Sequence, residues 1–397
     1  MKRLLFITWD GPQTTYLESL FIPIFHAITE QEARYEFHVL QFTWGDAKRV
    51  EKTANKASEL GIRYNSYPIY RKLIPTIGNL FTIARGIMVI TDYIKQNNID
   101  IVMPRATMPA NMVNRICLNN CKLLFDADGL PIEERVDFAG LKRGGWMYNF
   151  LSKEEKKILI KADTVITRSQ KAIDIHIHKI GEKYRSKFFK VTNGKDTKKF
   201  LPNLKQRTEF RKIIGIKSEE KIFVYCGSLG RQYCWDEMQA IFIRYLNITP
   251  HCRFLILTGS PEFLEGEISY EYRDKFIMKS VPAENIPEYL NIADIAFAIR
   301  KPTYSMQGVA PIKLAEYLLM GLPTIASKGI GDTKEVLQNI QGCFLYDHSD
   351  PDRIEKAVQW IFQEKPDRAN ISQSAKDIFS LEKSAGEYIQ AIKYITK

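Results

Sequence analysis

The chain has few cysteines, no long uninterrupted apolar run and no low-complexity tract, and each shortage removes a class of protein. Six cysteines spread over 397 residues are too sparse for a disulfide framework. Cys117 and Cys121 lie four apart without a second ligand pair nearby, and Cys226 and Cys234 sit in different local contexts. His176 and His178 are isolated in sequence from any Cys or carboxylate cluster. This pattern predicts reduced thiols in a cytoplasm and no metal site. No stretch reaches the ~20 apolar residues of a membrane span. Ile286–Ile299, among the longest, is broken by Glu288, Asn291 and Asp294. The opening segment Met1–Asp10 has too short an apolar part for a signal peptide, and it reads as a buried first strand. A hydrophobic content of 45% excludes a mostly disordered chain.

What the sequence does have is an uneven positive charge. The formal net charge is +11; residues 1–200 hold 32 Lys+Arg against 21 Asp+Glu, and residues 201–397 hold 25 of each. The whole surplus lies in the first half. Such a half can face an anionic membrane surface or a phosphorylated substrate, or it can simply keep the chain soluble. No aromatic-interleaved RNA motif accompanies the charge, so nucleic acid is not expected as a partner.

The length predicts two domains of roughly 200 residues. Short apolar runs alternate with longer amphipathic stretches throughout, the pattern of α/β architecture. In the first half, Arg3–Thr8, Tyr35–Phe42, Ile99–Pro104, Lys122–Asp126 and Thr164–Thr167 read as buried strands. Thr15–Thr29, Arg49–Leu60, Ile74–Asn97, Ala110–Asn119 and Trp146–Lys161 read as helices between them. In the second half, strands are expected at Ile222–Cys226, Phe254–Thr258, Phe276–Met278, Ile295–Ala298, Thr324–Ala326 and Cys343–Leu345. Helices are expected there at Cys234–Asn247, Ile286–Ile292, Pro311–Met320, Thr333–Gln338 and Asp350–Gln363. The fold class is thus two Rossmann-like, doubly wound α/β domains with a cleft between them. The expected division is 1–190, a linker over 191–206 with its Asn193-Gly194 turn and Pro202, a second domain over 207–376, and a C-terminal helix within 377–397 that crosses back to the first domain.

Two segments of the second half offer phosphate chemistry. In Ala310–Ser327, Pro311 suits a first helical turn, and Gly321 suits a left-handed cap, with Pro323 blocking continuation. Lys313 and Glu316 are three apart on one face near the helix N-terminus. That combination gives a phosphate site with a carboxylate for ribose hydroxyls; an ordinary surface ion pair has the same spelling. The second segment, Val224–Arg231, places Gly227, Ser228 and Gly230 directly after an apolar strand. Small residues there let a phosphate approach the backbone, and Arg231 offers a charged fork.

These residues resemble the donor-binding motifs of GT-B-fold glycosyltransferases, specifically glycosyltransferase family 4 of the polysaccharide-biosynthesis type. Pro311–Ser327 resembles the donor-binding motif, Val191–Phe200 the interdomain "(P)NGVDxxxF" turn, and Tyr225–Arg231 the "GxxGR" loop. Ile286–Asp294 is similar to "IPxYLxxAD", and Ala162–Ser169 to "ADxVIxxS". Three departures stand out. Gly308 replaces the first glutamate of Glu-x7-Glu, leaving only Glu316. No lysine follows Arg231, so Lys313, Arg300 or Lys301 is left to supply that charge. Pro104-Arg105-Ala106 stands where the family often carries a catalytic His.

The first half contributes Phe125–Asp137 at the end of a strand. Asp126, Asp128 and Glu133 become candidates for acceptor hydroxyls, although Glu133, Glu134 and Asp137 also suit the acidic first turn of a helix. The segment resembles a "DxRGxxxEER" stretch with Asp128 in place of Arg. Asp10 and Gly11 end the first strand, where Gly11 permits close approach as the family's glycine loop does. Trp9 and Trp44 read as core aromatics rather than sugar platforms.

The resemblance implies a retaining transferase that moves sugar from a UDP- or GDP-sugar to a glycan or lipid-linked acceptor, without a cofactor or metal, in bacterial surface polysaccharide synthesis. It places Arg231, Lys313, Asp126 and Arg105 in catalysis. Gly227, Ser228, Gly230, Glu316, Pro311 and Arg300 would bind donor, and Gly11, Asp10, Asp128 and Glu133 would lie on the acceptor side. The expected location is cytoplasmic, at the inner membrane face. Two alternatives stay open: a GT-B sugar-nucleotide epimerase, and a noncatalytic membrane-surface protein.

Overall fold

The computed structural model describes residues 1–12, 14–71, 75–118, 120–363 and 367–396. Ile74 and Asn119, expected as helix ends, lie outside the described residues. The chain divides into two compact units. The first comprises residues 1–194, 307–309 and the C-terminal helix Leu381–Thr396, and the second comprises 195–306 and 310–380.

The first unit is built on seven parallel strands: β1 (Lys2–Asp10), β2 (Tyr35–Thr43), β3 (Arg63–Pro68), β4 (Ile101–Pro104), β5 (Lys122–Asp128), β6 (Thr164–Thr167) and β7 (Phe188–Lys190), in the order β3-β2-β1-β4-β5-β6-β7. The inner strands are buried on both faces, as their continuous apolar runs require. On one face lie the helices Pro75–Gln96, Thr107–Val113, Trp146–Lys161 and Gln170–Ile180, packed around Leu5, Val102, Leu123 and Val165. On the other, Leu17–Phe21 and Ile22–Gln31 form one continuous helical stretch whose first turn is a π-helix. Its Phe21 and Phe25 meet Phe6, and Phe25 stacks on Phe37 at 4.5 Å. The C-terminal helix packs against Ile22–Gln31. The helix expected at Ala110–Asn119 instead runs Thr107–Val113, starting three residues earlier.

The second unit holds six parallel strands: β8 (Lys221–Cys226), β9 (Cys252–Leu257), β10 (Phe276–Lys279), β11 (Ile295–Ala298), β12 (Thr324–Ser327) and β13 (Phe344–Tyr346), ordered β10-β9-β8-β11-β12-β13. Trp235–Leu246 and Arg353–Gln363 cover one face through an aromatic cluster of Phe223, Phe242, Phe254 and Phe297. Ile312–Leu319 and Arg368–Phe379 cover the other. Gly321 ends its helix at φ 64°, where a Cβ would lie 2.3 Å from the Arg368 carbonyl oxygen; only glycine fits.

Two strands were not expected from sequence, β3 and β7, and both are edges of the first sheet. Two parallel α/β sheets of this order make the doubly wound fold expected from the alternation.

Candidate functional site

In open parallel sheets, ligands bind at the carboxyl ends of the strands. Both units place a buried charged cluster there.

In the second unit the cluster centres on Glu316, which is 4% exposed. Its Oε2 accepts from Lys313 Nζ at 2.7 Å, and its Oε1 lies 2.9 Å from Lys195 Nζ. Burial works against its charge, but the two ammonium groups outweigh that cost and hold the carboxyl down at about 2. Lys313 is raised above its ordinary range despite burial, by Glu316 and the neighbouring Cys226 thiol. The pair is therefore no ordinary surface ion pair: one buried carboxylate is shared by two lysines. Lys313 remains about a third exposed and Lys195 is buried, so Lys313 is the cation of this cluster that a ligand can reach. Pro311 is the cap residue just before the helix Ile312–Leu319, one position earlier than expected. Tyr317, next to Glu316, donates to the Cys226 carbonyl and accepts from the Cys226 amide at 2.7 Å, tying that helix to the end of β8.

The loop after β8 is Gly227–Arg231. Gly227 has φ 155°, and its N–H donates to the Leu257 carbonyl at 2.9 Å. That amide is committed to the sheet, which corrects the expectation that it faces phosphate; the loop amides available for that role begin at Ser228. Tyr225 Oη donates to the Ser228 carbonyl at 2.5 Å and pins the loop. Ser228 and Arg231 are exposed, and among the described residues no ion pair or side-chain hydrogen bond engages Arg231. Arg300 stacks over the Tyr233 ring at 4.8 Å and donates to its hydroxyl at 3.1 Å. Its backbone N–H donates to Ser327 Oγ, which bonds His348; His348 in turn meets Glu237 at 3.1 Å. Cys234, Glu237 and His348 bring ligand atoms within 4.8 Å of one another, a grouping that sequence spacing did not reveal. Burial pushes the Cys234 thiol up to about 12, and Arg353 pairs with Glu237, so neither offers itself readily to a metal.

In the first unit the cluster is balanced. Asp126 is fully buried and accepts from Arg168 Nη2 at 2.7 Å; Asp128 accepts from Arg105 Nη2 at 2.5 Å. Both guanidiniums lie by the Phe21 ring. Burial raises the Asp126 carboxyl against the pull of Arg168 and Arg105. Two residues here hold left-handed backbone: Ala106 at φ 58° and Asp128 at φ 61°. Non-glycine residues adopt that conformation only where their surroundings impose it. Ala106 is tied by its N–H to the Asp126 carbonyl at 2.9 Å, and a register shift between Asp126 and Asp128 turns the second carboxylate out of the strand. Asp128 is a third exposed and Asp126 is not, so Asp128 is the carboxylate of this cluster that can meet a ligand.

Other predicted residues fall elsewhere. Asp10 is buried and accepts from Thr8 and Gln41, as an internal hydrogen-bonded group. Gly11 lies against the Trp44 ring. Glu133 accepts from Tyr148 at 2.7 Å and pairs with Arg143. Trp9 stacks on Phe42 at the core, whereas Trp44 is exposed under the Arg71 guanidinium, contrary to the core expectation. Arg168 and Lys195 were not singled out from sequence. The only signal was position: each is a cation directly after a strand end or an Asn-Gly turn.

Residues 206–378 match the family described as Glycosyl transferases group 1. No curated protein matches the chain in sequence. Among solved structures, the chain is similar to HepE (Alr3699) of Anabaena in complex with UDP and glucose, at 13% identity and a TM-score of 0.71, over 99% of this chain and 100% of that one. It is similar to sucrose-phosphate synthase from Thermosynechococcus elongatus at 15% identity and a TM-score of 0.71, over 100% and 99%. The lipopolysaccharide outer core galactosyltransferase WaaB aligns at 13% identity and a TM-score of 0.67, over 98% and 99%. The chain thus has the GT-B fold, and its second unit carries a Glycosyl transferases group 1 domain, the domain of a glycosyltransferase.

Proposed function

We propose that the protein is a retaining glycosyltransferase that moves a sugar from a nucleoside-diphosphate sugar to a glycan or lipid-linked acceptor, without a metal, in bacterial surface polysaccharide synthesis. The observation that carries this reading is the Lys195–Glu316–Lys313 arrangement beside the exposed Arg231 loop. It is a preformed cationic site at the carboxyl edge of the second sheet, with small residues for close phosphate approach.

In the transfer, the bond from the sugar anomeric carbon to the diphosphate oxygen breaks, and its electron pair stays on that oxygen. The acceptor hydroxyl oxygen forms the new bond on the same face, and its proton passes to the departing phosphate. Charge therefore grows on the diphosphate, and fixed cations stabilise it. Arg231 and Lys313 supply them, with the amides after Gly227. Lys195 keeps Glu316 ionised and oriented, so that Glu316 can accept from ribose hydroxyls at its remaining lone pairs. On the acceptor side, Asp128 is held by Arg105, and Asp126 by Arg168.

HepE is in complex with UDP and glucose, which supports uridine as the first base to try. A thermal-shift screen of UDP-, GDP- and ADP-sugars tests the reading, since a ligand stabilises the state it binds. A rise in Tm with one of them is expected. No response to any would overturn it, and sugar conversion without an acceptor would favour an epimerase.

A further inference from the structure

The helix Pro75–Gln96 turns an apolar face to solvent. Ile77, Leu80, Phe81 and Met88 are each between 56% and 62% exposed, and their spacing places them on one side of the helix. Its opposite side, with Thr82, Gly86 and Ile90, is buried against the unit. A helix that is apolar on both sides is ordinarily enclosed by protein or lipid. Contrary to the expectation that no stretch reaches the length of a membrane span, Ile77–Gln96 has a mean hydropathy of 1.2 in its most apolar window and is long and apolar enough to cross one, yet its inner side is part of the first unit's core.

The exposed face has neighbours of matching character. The helices Pro75–Gln96 and Trp146–Lys161 both pack against Thr107–Val113. The first follows β3 and the second leads into β6, so in a parallel sheet both begin at the carboxyl edge. There Trp146, at 73% exposure, opens the second helix. Exposed Arg71 and Arg85 lie over Trp44 and Tyr70 at the apolar helix, and exposed Lys142, Lys153 and Lys157 lie in and just before the helix that Trp146 opens. The patch also continues toward the candidate acceptor residues: Phe81 meets Tyr70 at 4.9 Å, Arg71 covers Trp44 at 4.6 Å, and Trp44 abuts Gly11.

We propose that this face is a docking surface for an anionic lipid bilayer, on which the helix Pro75–Gln96 lies in the plane of the interface. Apolar groups enter the acyl boundary while the flanking cations meet the anionic headgroups. A second copy of the chain is the poorer occupant, because a two-fold contact would bring the same cations face to face. The surface deepens the proposed function by giving the membrane contact a place. It rests on that reading only for why a bilayer is the workplace.

Co-sedimentation of the full chain with vesicles of phosphatidylcholine, alone or with a quarter phosphatidylglycerol, tests the proposal without donor or acceptor. Failure to bind is thereby separate from failure of the transferase assignment. Binding is expected to the anionic vesicles and to weaken with salt. The pair Leu80→Gln with Phe81→Gln should lower it about tenfold or more, and Lys153→Glu with Lys157→Glu should abolish the preference for phosphatidylglycerol. An unchanged Tm confirms that each variant is folded. Absence of binding by the wild type, or variants that bind equally well, would overturn the proposal. So would a dimer in solution that the Leu80/Phe81 pair dissociates.

Discussion

The two units place charged clusters at the same edge of similar sheets, but the clusters are opposite in design. In the first, two aspartates face two arginines and the charges cancel; burial dominates and raises the Asp126 carboxyl. In the second, one glutamate faces two lysines, and the carboxyl is held at about 2. The balanced cluster has little charge to offer a ligand and much to lose if broken. The second presents the partly exposed Lys313 to solvent, where the proposed diphosphate leaving group would meet it. Where the first unit has strained backbone at Ala106 and Asp128, the second uses glycine at Gly227 and Gly321 for its unusual φ angles.

The sharpest way to break this contrast is to remove a partner from each cluster. Lys313→Ala should lower kcat by about 10²–10³ in an assay with the true donor, at a stability cost of no more than about 1 kcal/mol, because water can take the place of its partly exposed ammonium beside Glu316. Arg168→Met should do the reverse in stability, costing about 3–5 kcal/mol in urea denaturation, because Asp126 is left buried with its nearest guanidinium gone. If Arg168→Met proves neutral, the first cluster does not depend on its pairing as described.

Smaller effects sharpen the comparison further. Lys195→Met leaves Glu316 with a single partner and should cost about 1–3 kcal/mol, together with weaker donor binding. The acid limb of the stability curve should also differ between the clusters. Glu316 has a folded pKa below its ordinary 4.5, so its ionisation favours folding above pH 4.5, and that contribution is lost as pH falls from 4.5 toward 2. Glu316→Gln should flatten this part of a Tm-against-pH profile. Asp126, raised in the folded state, works in the opposite sense: protonation through its own range favours the fold. Smallest of all, Arg231→Lys should retain more turnover than Arg231→Ala, with equal Tm for both, since Arg231 is exposed.

Much of this architecture was legible in the sequence, because strands buried on both faces must be written as continuous apolar runs. Thr164–Thr167 and Ile295–Ala298 match their expected spans to the residue. β3 escaped because Arg-Tyr-Asn-Ser-Tyr-Pro, at a sheet edge, has no apolar run to read. β7 is only three residues long. The edge strand β10 was legible because Phe276 and Ile277 pack on the core. For the sites, Lys313 and Glu316 could be found by helical spacing, a local property. Lys195 lies more than a hundred residues from Glu316, and Arg168 lies 42 from Asp126, so no local pattern links either pair. The Gly227 amide looked free for phosphate because its acceptor, Leu257, belongs to a neighbouring strand.

The central claim is that Lys313 of the second unit binds a nucleoside diphosphate. Calorimetric titration of the wild type and of Lys313→Ala with UDP and GDP tests it most directly. The account predicts binding of one nucleotide to the wild type and at least about tenfold weaker binding to the variant, the loss of one charge-assisted contact. Equal affinity of the two proteins, or no binding of either nucleotide by the wild type, would contradict it.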